Sequence, residues 1–198
     1  MPLDSLVGPL AAFLAPAGPP LVPTPQYHGE GLFRTSVHLG LRQVQDDFEP
    51  AEEHSVFGLV LDVREAGRSE GFEVGLLRSS GDGRIQVGAG ELEAESVIWE
   101  LFVGARWSFD PWSGPLRPHL GVGGSLLYAE FDVSGLGGSD SNSGWAVGVY
   151  GGGGIEWRFS DDWAVGLDLR LLYSTPATLQ EEAPLDYVQA ALTLSWAW

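Results

Sequence analysis

The chain has 198 residues, with 28 Gly, 13 Pro and no Cys, and its 27 acidic residues against ten Arg give a net charge of −17. This composition predicts a single all-β domain and excludes disulfides, zinc-thiolate sites and thiol nucleophiles. The acidic excess argues against a nucleic-acid partner.

The first thirty residues predict a leader ahead of the folded domain. An apolar run over 6–14 is followed by Ala15-Pro16-Ala17, a pattern of small residues typical of signal-peptidase sites. The run lacks a basic start and carries Asp4, so a cleaved export signal and an uncleaved Pro-rich lead-in both remain open. We expect a leader at 1–30 and one folded domain at 31–198.

Alternation of apolar and polar residues predicts eight strands after the leader. The connections after the first, third, fifth and seventh strands are long, and the other three are short (EAGRS, DPWSGPLR and SDD). Long loops at one rim and tight turns at the other are typical of an up-and-down antiparallel barrel. The segment IQVGAG leaves the end of the third strand open. The predicted strands are 32–43, 55–65, 71–79, 96–109, 118–131, 145–159, 163–174 and 186–198.

The two faces of these strands differ in a way that predicts which one meets lipid. One face carries large apolar side chains, and no charge interrupts it within a strand until Arg78 and Glu130 at the loop-side ends. The other face is rich in Gly and has nearly balanced charge. A water-facing exterior normally carries long, mobile Lys and Glu side chains, whereas a narrow barrel interior needs small residues and paired charges. The predicted inward charges are Arg34, Arg42, Asp62, Arg64, Glu73, Glu100, Arg106, Glu156, Arg158, Asp168 and Arg170.

Aromatic residues on the apolar face favour the same orientation. Membrane barrels place aromatic side chains in belts at the two membrane interfaces, and this chain concentrates them at the two ends of its strands. The sequence therefore predicts a closed eight-stranded antiparallel up-and-down transmembrane β-barrel, with apolar residues outside and a filled polar lumen. The predicted lipid-facing girdle consists of Phe33, Trp99, Trp107, Phe109, Tyr128, Trp145, Trp157, Phe159, Trp163, Tyr173, Trp196 and Trp198.

Three segments are informative about the family: RPHLGVGGSLLYAEFD, GWAVGVYGGGGIEWRFSDDWAVGLDLRLLYS and the ending YVQAALTLSWAW. They resemble the small eight-stranded bacterial outer-membrane barrels of the OmpA transmembrane-domain and opacity-protein type. The resemblance covers residues 31–198. It implies a Gram-negative outer-membrane location and recognition of the C-terminal strand by the barrel-assembly machinery, here with Trp198 in place of the usual Phe. It does not imply one function, because this fold has several.

The inward charges predict an ionic network that neutralises the lumen, with a plug or gate as the other interpretation. Six of its members, at positions 34, 62, 64, 106, 156 and 158, belong to the short-turn half of the barrel. Removing one partner would leave a poorly solvated charge. The predicted network comprises Arg34, Asp62, Arg64, Glu100, Arg106, Glu156, Arg158, Asp168 and Arg170.

No catalytic or metal-binding set is expected. His38 and His119 are inward candidates, whereas His28 and His54 fall outside the predicted strands. A lipid-modifying hydrolase needs a Ser or a second base within hydrogen-bond reach of a His, and no such set emerges. The long loops are acidic, but no Ca²⁺-loop spacing appears in them. We expect neither a cofactor nor a metal.

The sequence predicts a monomeric outer-membrane protein with both termini in the periplasm and acidic loops outside the cell. Its predicted partners are outer-membrane lipid and the barrel-assembly machinery, without nucleic acid. The role favoured is a structural one, in envelope integrity or surface interaction. The alternatives are a narrow small-solute channel, a lipid-modifying enzyme and a soluble ligand-binding barrel whose Trp residues point inward.

Overall fold

The computed structural model of the protein describes residues 32–44, 52–65, 67–87, 90–109, 115–135, 138–177 and 183–198. The predicted leader at 1–30, with its candidate cleavage site, lies outside these residues. Within the described ranges, no helix is long and apolar enough to cross a membrane.

The described chain forms ten β-strands. Eight of them close into an antiparallel barrel in the order β1-β10-β7-β6-β5-β4-β3-β2, and β8 and β9 form a separate two-stranded sheet. The predicted fold class is confirmed. The strands are β1 Leu32–Val44, β2 Glu53–Arg64, β3 Glu70–Val87, β4 Gly90–Ser108, β5 Leu116–Gly135, β6 Gly138–Arg158, β7 Trp163–Ser174, β8 Pro176–Ala177, β9 Ala183–Pro184 and β10 Tyr187–Ala197.

Period-2 alternation determines which side chains point into the barrel. Along β2, exposed and buried residues alternate from Glu53 to Val60, and β10 repeats the pattern from Tyr187 to Trp196. Successive side chains of a strand point to opposite faces, so each strand has one outward apolar row and one inward row. The orientation inferred from the sequence is therefore that of the structure.

The four central strands are longer than predicted. The third and fourth were predicted to stop at 79 and start at 96, but β3 continues to Val87 and β4 begins at Gly90. Likewise β5 continues to Gly135 and β6 begins at Gly138, within a segment predicted as a loop. These extensions lack the alternation of large apolar and polar residues that marks the barrel wall. Lateral pairing extends them, since β4 pairs with β5 from Leu92↔Gly135 onward.

The two rims consequently differ in height. At one rim the turns are short, and Gly67, with φ of 81°, permits a tight turn between β2 and β3. At the other rim β3–β6 form a four-stranded sheet that rises beyond their neighbours, because β2 pairs with β3 only as far as Ser80 and β7 pairs with β6 only from Gly148. We call this part of β3–β6 the projecting sheet, and the two ends the short-turn rim and the long-hairpin rim.

Candidate functional site

The lumen is the candidate site, because buried charged side chains from most of the barrel strands point into it. Those of Arg42 and Glu100 have no exposed surface, and those of Asp62, Arg106 and Glu156 are less than a tenth exposed. Buried charges are tolerated only when they are paired and hydrogen-bonded. The lumen meets this requirement with two separate ionic clusters at different heights.

The first cluster centres on Glu100 of β4. Its Oε2 accepts hydrogen bonds from Arg42 Nη2 at 2.7 Å and from the Tyr187 hydroxyl at 2.6 Å. Its Oε1 accepts from the Ser125 hydroxyl and from Arg170 Nη2, both at 2.8 Å. We call these five residues the Glu100 cluster. They connect β4 to β1, β5, β7 and β10 through one carboxylate.

Aromatic rings flank both guanidinium groups of the Glu100 cluster. The Arg42 guanidinium carbon lies 3.7 Å from the centre of the Tyr187 ring. Arg170 lies between two rings, 3.9 Å from the centre of Phe102 and 3.6 Å from that of Tyr150. Ring faces attract cations, and the attraction grows when water is excluded. The aromatic faces therefore stabilise the two guanidinium groups further, which allows two Arg to share one carboxylate.

The second cluster centres on Arg106 and lies nearer the short-turn rim. Arg106 contacts Glu156 at 2.7 Å, Asp62 at 3.2 Å and Glu73 at 3.5 Å. Arg34 pairs with Asp62 at 2.8 Å and also with Glu156. We call these five residues the Arg106 cluster. Three carboxylates surround two guanidinium groups, so this cluster is acidic whereas the Glu100 cluster is basic.

The predicted single network is thus divided between two clusters. Arg34, Asp62, Arg106 and Glu156 come together, but Glu100 and Arg170 belong to the other cluster. Arg64 and Arg158 lie half-buried near the short-turn rim, where Arg158 donates to the Asp161 carbonyl oxygen at 2.7 Å. Alternation assigns a residue to a face, whereas these contacts depend on strand register and height. The prediction omitted from its network two inward residues that carry the clusters, Arg42 and Glu73.

A small cavity separates the two clusters. His119 Nε2 lies 2.8 Å from Asp168 Oδ2 beside it, while His119 Nδ1 is buried without a hydrogen-bond partner. The cavity volume is about 20 Å³, which is room for a single water molecule. His38, Glu73 and Tyr150 also line the space.

An apolar layer fills the lumen towards the long-hairpin rim, and it is not among the features predicted from the sequence. The inward face is rich in Gly and has nearly balanced charge, yet large aliphatic side chains also point inward there. They follow the same alternation, so the signal was present in the sequence. Residues beyond β7 cover this layer. The layer and its cover comprise Val44, Val56, Leu77, Ile98, Leu127, Leu172, Ala177 and Leu185, each at most 3% exposed.

His54 was predicted to lie outside the strands, but it belongs to β2 and points into the lumen. Its Nδ1 lies 3.2 Å from the Ser79 hydroxyl and its Nε2 lies 2.7 Å from the Ser96 hydroxyl. The strand prediction began one residue too late to include it. All three residues are at most 1% exposed, so no lipid on the outer wall reaches these hydroxyls. The set connects β2, β3 and β4.

The predicted aromatic girdle lies on the outer wall. Trp99, Tyr128 and Trp145 are paired across β4, β5 and β6 near the long-hairpin rim. On the other rim Trp163 stacks on Trp196, with ring centres 6.2 Å apart. Except for the half-buried Tyr128, every member of the girdle is 38% exposed or more: Phe33, Trp99, Trp107, Phe109, Trp145, Trp157, Phe159, Trp163, Tyr173, Trp196 and Trp198.

The two belts are separated by the thickness of a bilayer. Trp145 and Trp157 lie twelve residues apart on β6, which is about 40 Å along a strand and about 30 Å along the axis of a barrel with tilted strands. The outer wall between the belts carries only apolar side chains and Gly, including Leu101, Val103 and Val149, each more than half exposed. A hydrocarbon layer is about 30 Å thick. The exterior therefore has the dimensions and chemistry of a membrane-spanning surface.

Solved structures with this architecture include Ail, the attachment invasion locus protein of Yersinia pestis, in complex with the heparin analogue sucrose octasulfate. It has 12% sequence identity and a TM-score of 0.59, covering 85% of this chain and 99% of Ail. The fold is that of the small outer-membrane β-barrels. OprG from Pseudomonas aeruginosa also matches, with 12% identity, a TM-score of 0.55, and coverage of 86% and 97%.

A third barrel of this type is a major outer membrane protein from Thermus thermophilus. It has 10% identity and a TM-score of 0.57, with 84% of this chain and 99% of that chain covered. No protein-family model matches the sequence, and no curated protein does. At these identities the likeness extends to the fold, and the function has to be argued from the residues of this chain.

Proposed function

We propose that the protein is an integral outer-membrane barrel with a structural role. The observation that carries this proposal is that a continuous apolar outer wall surrounds an ionised interior. A soluble ligand-binding barrel would need its Trp residues inside, but Trp99 and Trp157 are 41% and 52% exposed while Arg106 and Glu156 are buried. A contiguous apolar surface of this size is not stable in water.

The membrane placement is tested with the full chain folded in detergent and in cells. We expect a compact form on unheated gels that shifts on boiling, and recovery in the outer-membrane fraction with both termini protected from external protease. Protection of the termini follows from placing the short-turn rim in the periplasm. Recovery in the soluble fraction would contradict the proposal.

The filled lumen supports a structural role over a channel. Water would have to pass the Arg106 cluster, the Glu100 cluster and the apolar layer, and the space between the two clusters is about 20 Å³. We expect no stepwise conductance from the folded protein in planar bilayers. Stable conductance steps would favour the narrow channel instead, and an Arg106→Gln variant with altered ion selectivity would place the path through the lumen.

The projecting sheet favours surface interaction as a second role. Its outward face carries Asp82, Glu95 and Asp132 in one cross-strand row, with Arg84 and Glu93 paired at 3.2 Å one row above. This surface is acidic, so the polyanion seen with Ail is not a suitable ligand here. We infer a partner with a basic surface, because opposite potentials steer association.

The surface role is tested by neutralising the acidic row. We expect a D82N/E95Q/D132N variant to lose binding to a basic peptide such as oligo-arginine, and an R68Q control at the opposite rim to retain it. Equal binding by the two variants would argue against this role. The barrel itself should fold normally in both, because all four positions are exposed.

We propose no catalytic role. The only His–Ser contacts among the described residues that resemble a catalytic set are those of His54, and Ser79 and Ser96 are buried within the lumen. A serine nucleophile must reach its substrate. We retain as proposals a monomeric state, contact with outer-membrane lipid, and recognition of the C-terminal strand ending in Trp198 by the barrel-assembly machinery.

A further inference from the structure

Arg78 is an ionised residue within the aromatic belt of the outer wall. It lies on β3 in register with Phe57 on β2 and Trp99 on β4, and the row continues through Tyr128 and Trp145. The side chains of Phe57, Arg78 and Trp99 are exposed. The other members of this row are aromatic and uncharged. Because this belt marks the end of the apolar wall near the long-hairpin rim, the guanidinium lies at the same height as that end.

Arg78 differs in its contacts from most of the other Arg. Seven of them have an ion pair or a hydrogen bond in the protein: Arg34, Arg42, Arg68, Arg84, Arg106, Arg158 and Arg170. Among the described residues, Arg78 has no carboxylate within ion-pair distance, and its contact is with the Trp99 ring, 5.8 Å from the guanidinium carbon. A guanidinium fixed over a ring keeps its N–H donors available for a phosphate.

A cleft opens directly beyond Arg78 on the same face of the projecting sheet. Its volume is about 310 Å³, and its lining includes Arg78, Ser80, Asp82, Arg84 and Glu95. Cross-strand rows succeed one another at about 7 Å, so hydroxyl and carboxylate groups lie above the guanidinium in the direction away from the membrane. These groups accept hydrogen bonds from hydroxyls rather than bind a second phosphate.

We propose that Arg78 and this cleft bind the headgroup of a lipid in the leaflet on the long-hairpin side. The lipid phosphate is held by the Arg78 guanidinium, and the hydroxyl-bearing part of the headgroup occupies the cleft. Arg and Lys near a membrane surface favour anionic lipid. The proposal rests on the membrane placement proposed above, and it adds a lipid class and the residue that selects it.

The test uses native mass spectrometry of the full chain released from vesicles. The vesicles contain equal amounts of phosphatidylglycerol and diglucosyl diacylglycerol, which carries hydroxyls but no phosphate. We expect the unmodified protein to retain phosphatidylglycerol about fivefold more than the glycolipid. R78Q should lose this preference, R78K should keep part of it, and R68Q, which removes an exposed Arg at the opposite rim, should keep all of it.

Each outcome decides a separate point. The same lipid preference in R78Q as in the unmodified protein would overturn the proposal. If inorganic phosphate alone displaced the retained lipid, the ligand of this site would be a soluble anion and not a lipid headgroup. Failure of the unmodified protein to float with vesicles of either lipid would instead contradict the membrane placement. Unheated gels verify that R78Q folds, as expected for an exposed side chain.

Discussion

At the scale of single residues, the lumen depends on carboxylates that serve several cations at once. Glu100 receives four hydrogen bonds from side chains of four strands, so its loss would leave two buried guanidinium groups without their shared counter-charge. A buried guanidinium group that has lost its carboxylate partner destabilises the fold strongly, because its charge is then neither hydrated nor paired. The largest effects of single substitutions should therefore come from the lumen and not from the more exposed outer wall.

We expect Glu100→Ala to destabilise the barrel by about 3 to 5 kcal/mol. Glu130→Ala is the matched control, because Glu130 is exposed and accepts one hydrogen bond from Tyr128 at 3.0 Å, and it should change stability by less than about 0.5 kcal/mol. The measurement is urea unfolding of the protein folded in vesicles, followed by the gel-mobility shift. Equal midpoints for the two variants would show that the Glu100 cluster is not needed.

Glycine provides a second residue-scale prediction. A methyl group at Gly104 would overlap the Tyr150 hydroxyl, which donates to Glu73 at 2.7 Å, and also the Val122 carbonyl oxygen. At Gly151, on the outer wall, a methyl group meets nothing within 4 Å. We expect Gly104→Ala to cost about 1 to 3 kcal/mol and Gly151→Ala to be nearly neutral in the same unfolding assay. A neutral Gly104→Ala would mean that Tyr150 moves freely.

At the scale of the elements, the sequence predicted strands well where the barrel wall is half-buried and poorly beyond it. β1, β2, β7 and β10 agree with the prediction to within two residues at each end, because one face is apolar and the other polar. The segments GDGRIQV and DVSG have no such contrast. They are strands because they pair with a neighbouring strand, and the alternation pattern of a single segment does not contain this pairing.

A local alternation pattern also cannot predict which side chains meet across the lumen, and this explains the contacts of the candidate site that the sequence did not predict. Alternation placed Arg42, Glu100 and Arg170 on the inward face, but it could not show that Glu100 meets both Arg, which come from β1 and β7 on the far side of the lumen. His54 was missed because a strand end was set one residue late. Faces follow from the sequence, whereas partners across the lumen depend on closure and register.

Hydrogen exchange tests the length of the projecting sheet. β4 pairs on both sides from Leu92 to Val97, with β3 and with β5, so we expect its amides there to be protected by both ladders. On β3, residues 81–87 have no ladder partner on the β2 side among the residues that the structure describes, so about half of their amides should exchange quickly. Mass spectrometry of peptides from the detergent-folded protein resolves the two segments. Fast exchange throughout 92–97 would mean that the hairpin is a loop.

At the scale of the whole molecule, the barrel is an inverted globular protein. Charged pairs and an apolar layer fill the lumen, while the outer wall exposes Leu, Val and Trp. An apolar exterior of this kind is stable where it meets hydrocarbon. The barrel is closed, so it leaves no strand edge with unpaired backbone groups at membrane depth. Closure and the apolar exterior therefore have one common explanation.

A charge introduced by substitution on the outer wall tests directly whether that surface contacts lipid or water. Leu101 is 52% exposed and lies between the two belts on β4, so Leu101→Arg would be harmless if that surface met water. In a bilayer we expect the variant to fold into vesicles less stably by about 2 to 4 kcal/mol. Ser139→Arg, on the exposed end of β6 beyond the belts, should fold like the unmodified protein. If both variants folded equally well in vesicles, the outer wall would not be the lipid-facing surface, whereas a selective loss for Leu101→Arg ties the fold of this chain to the membrane.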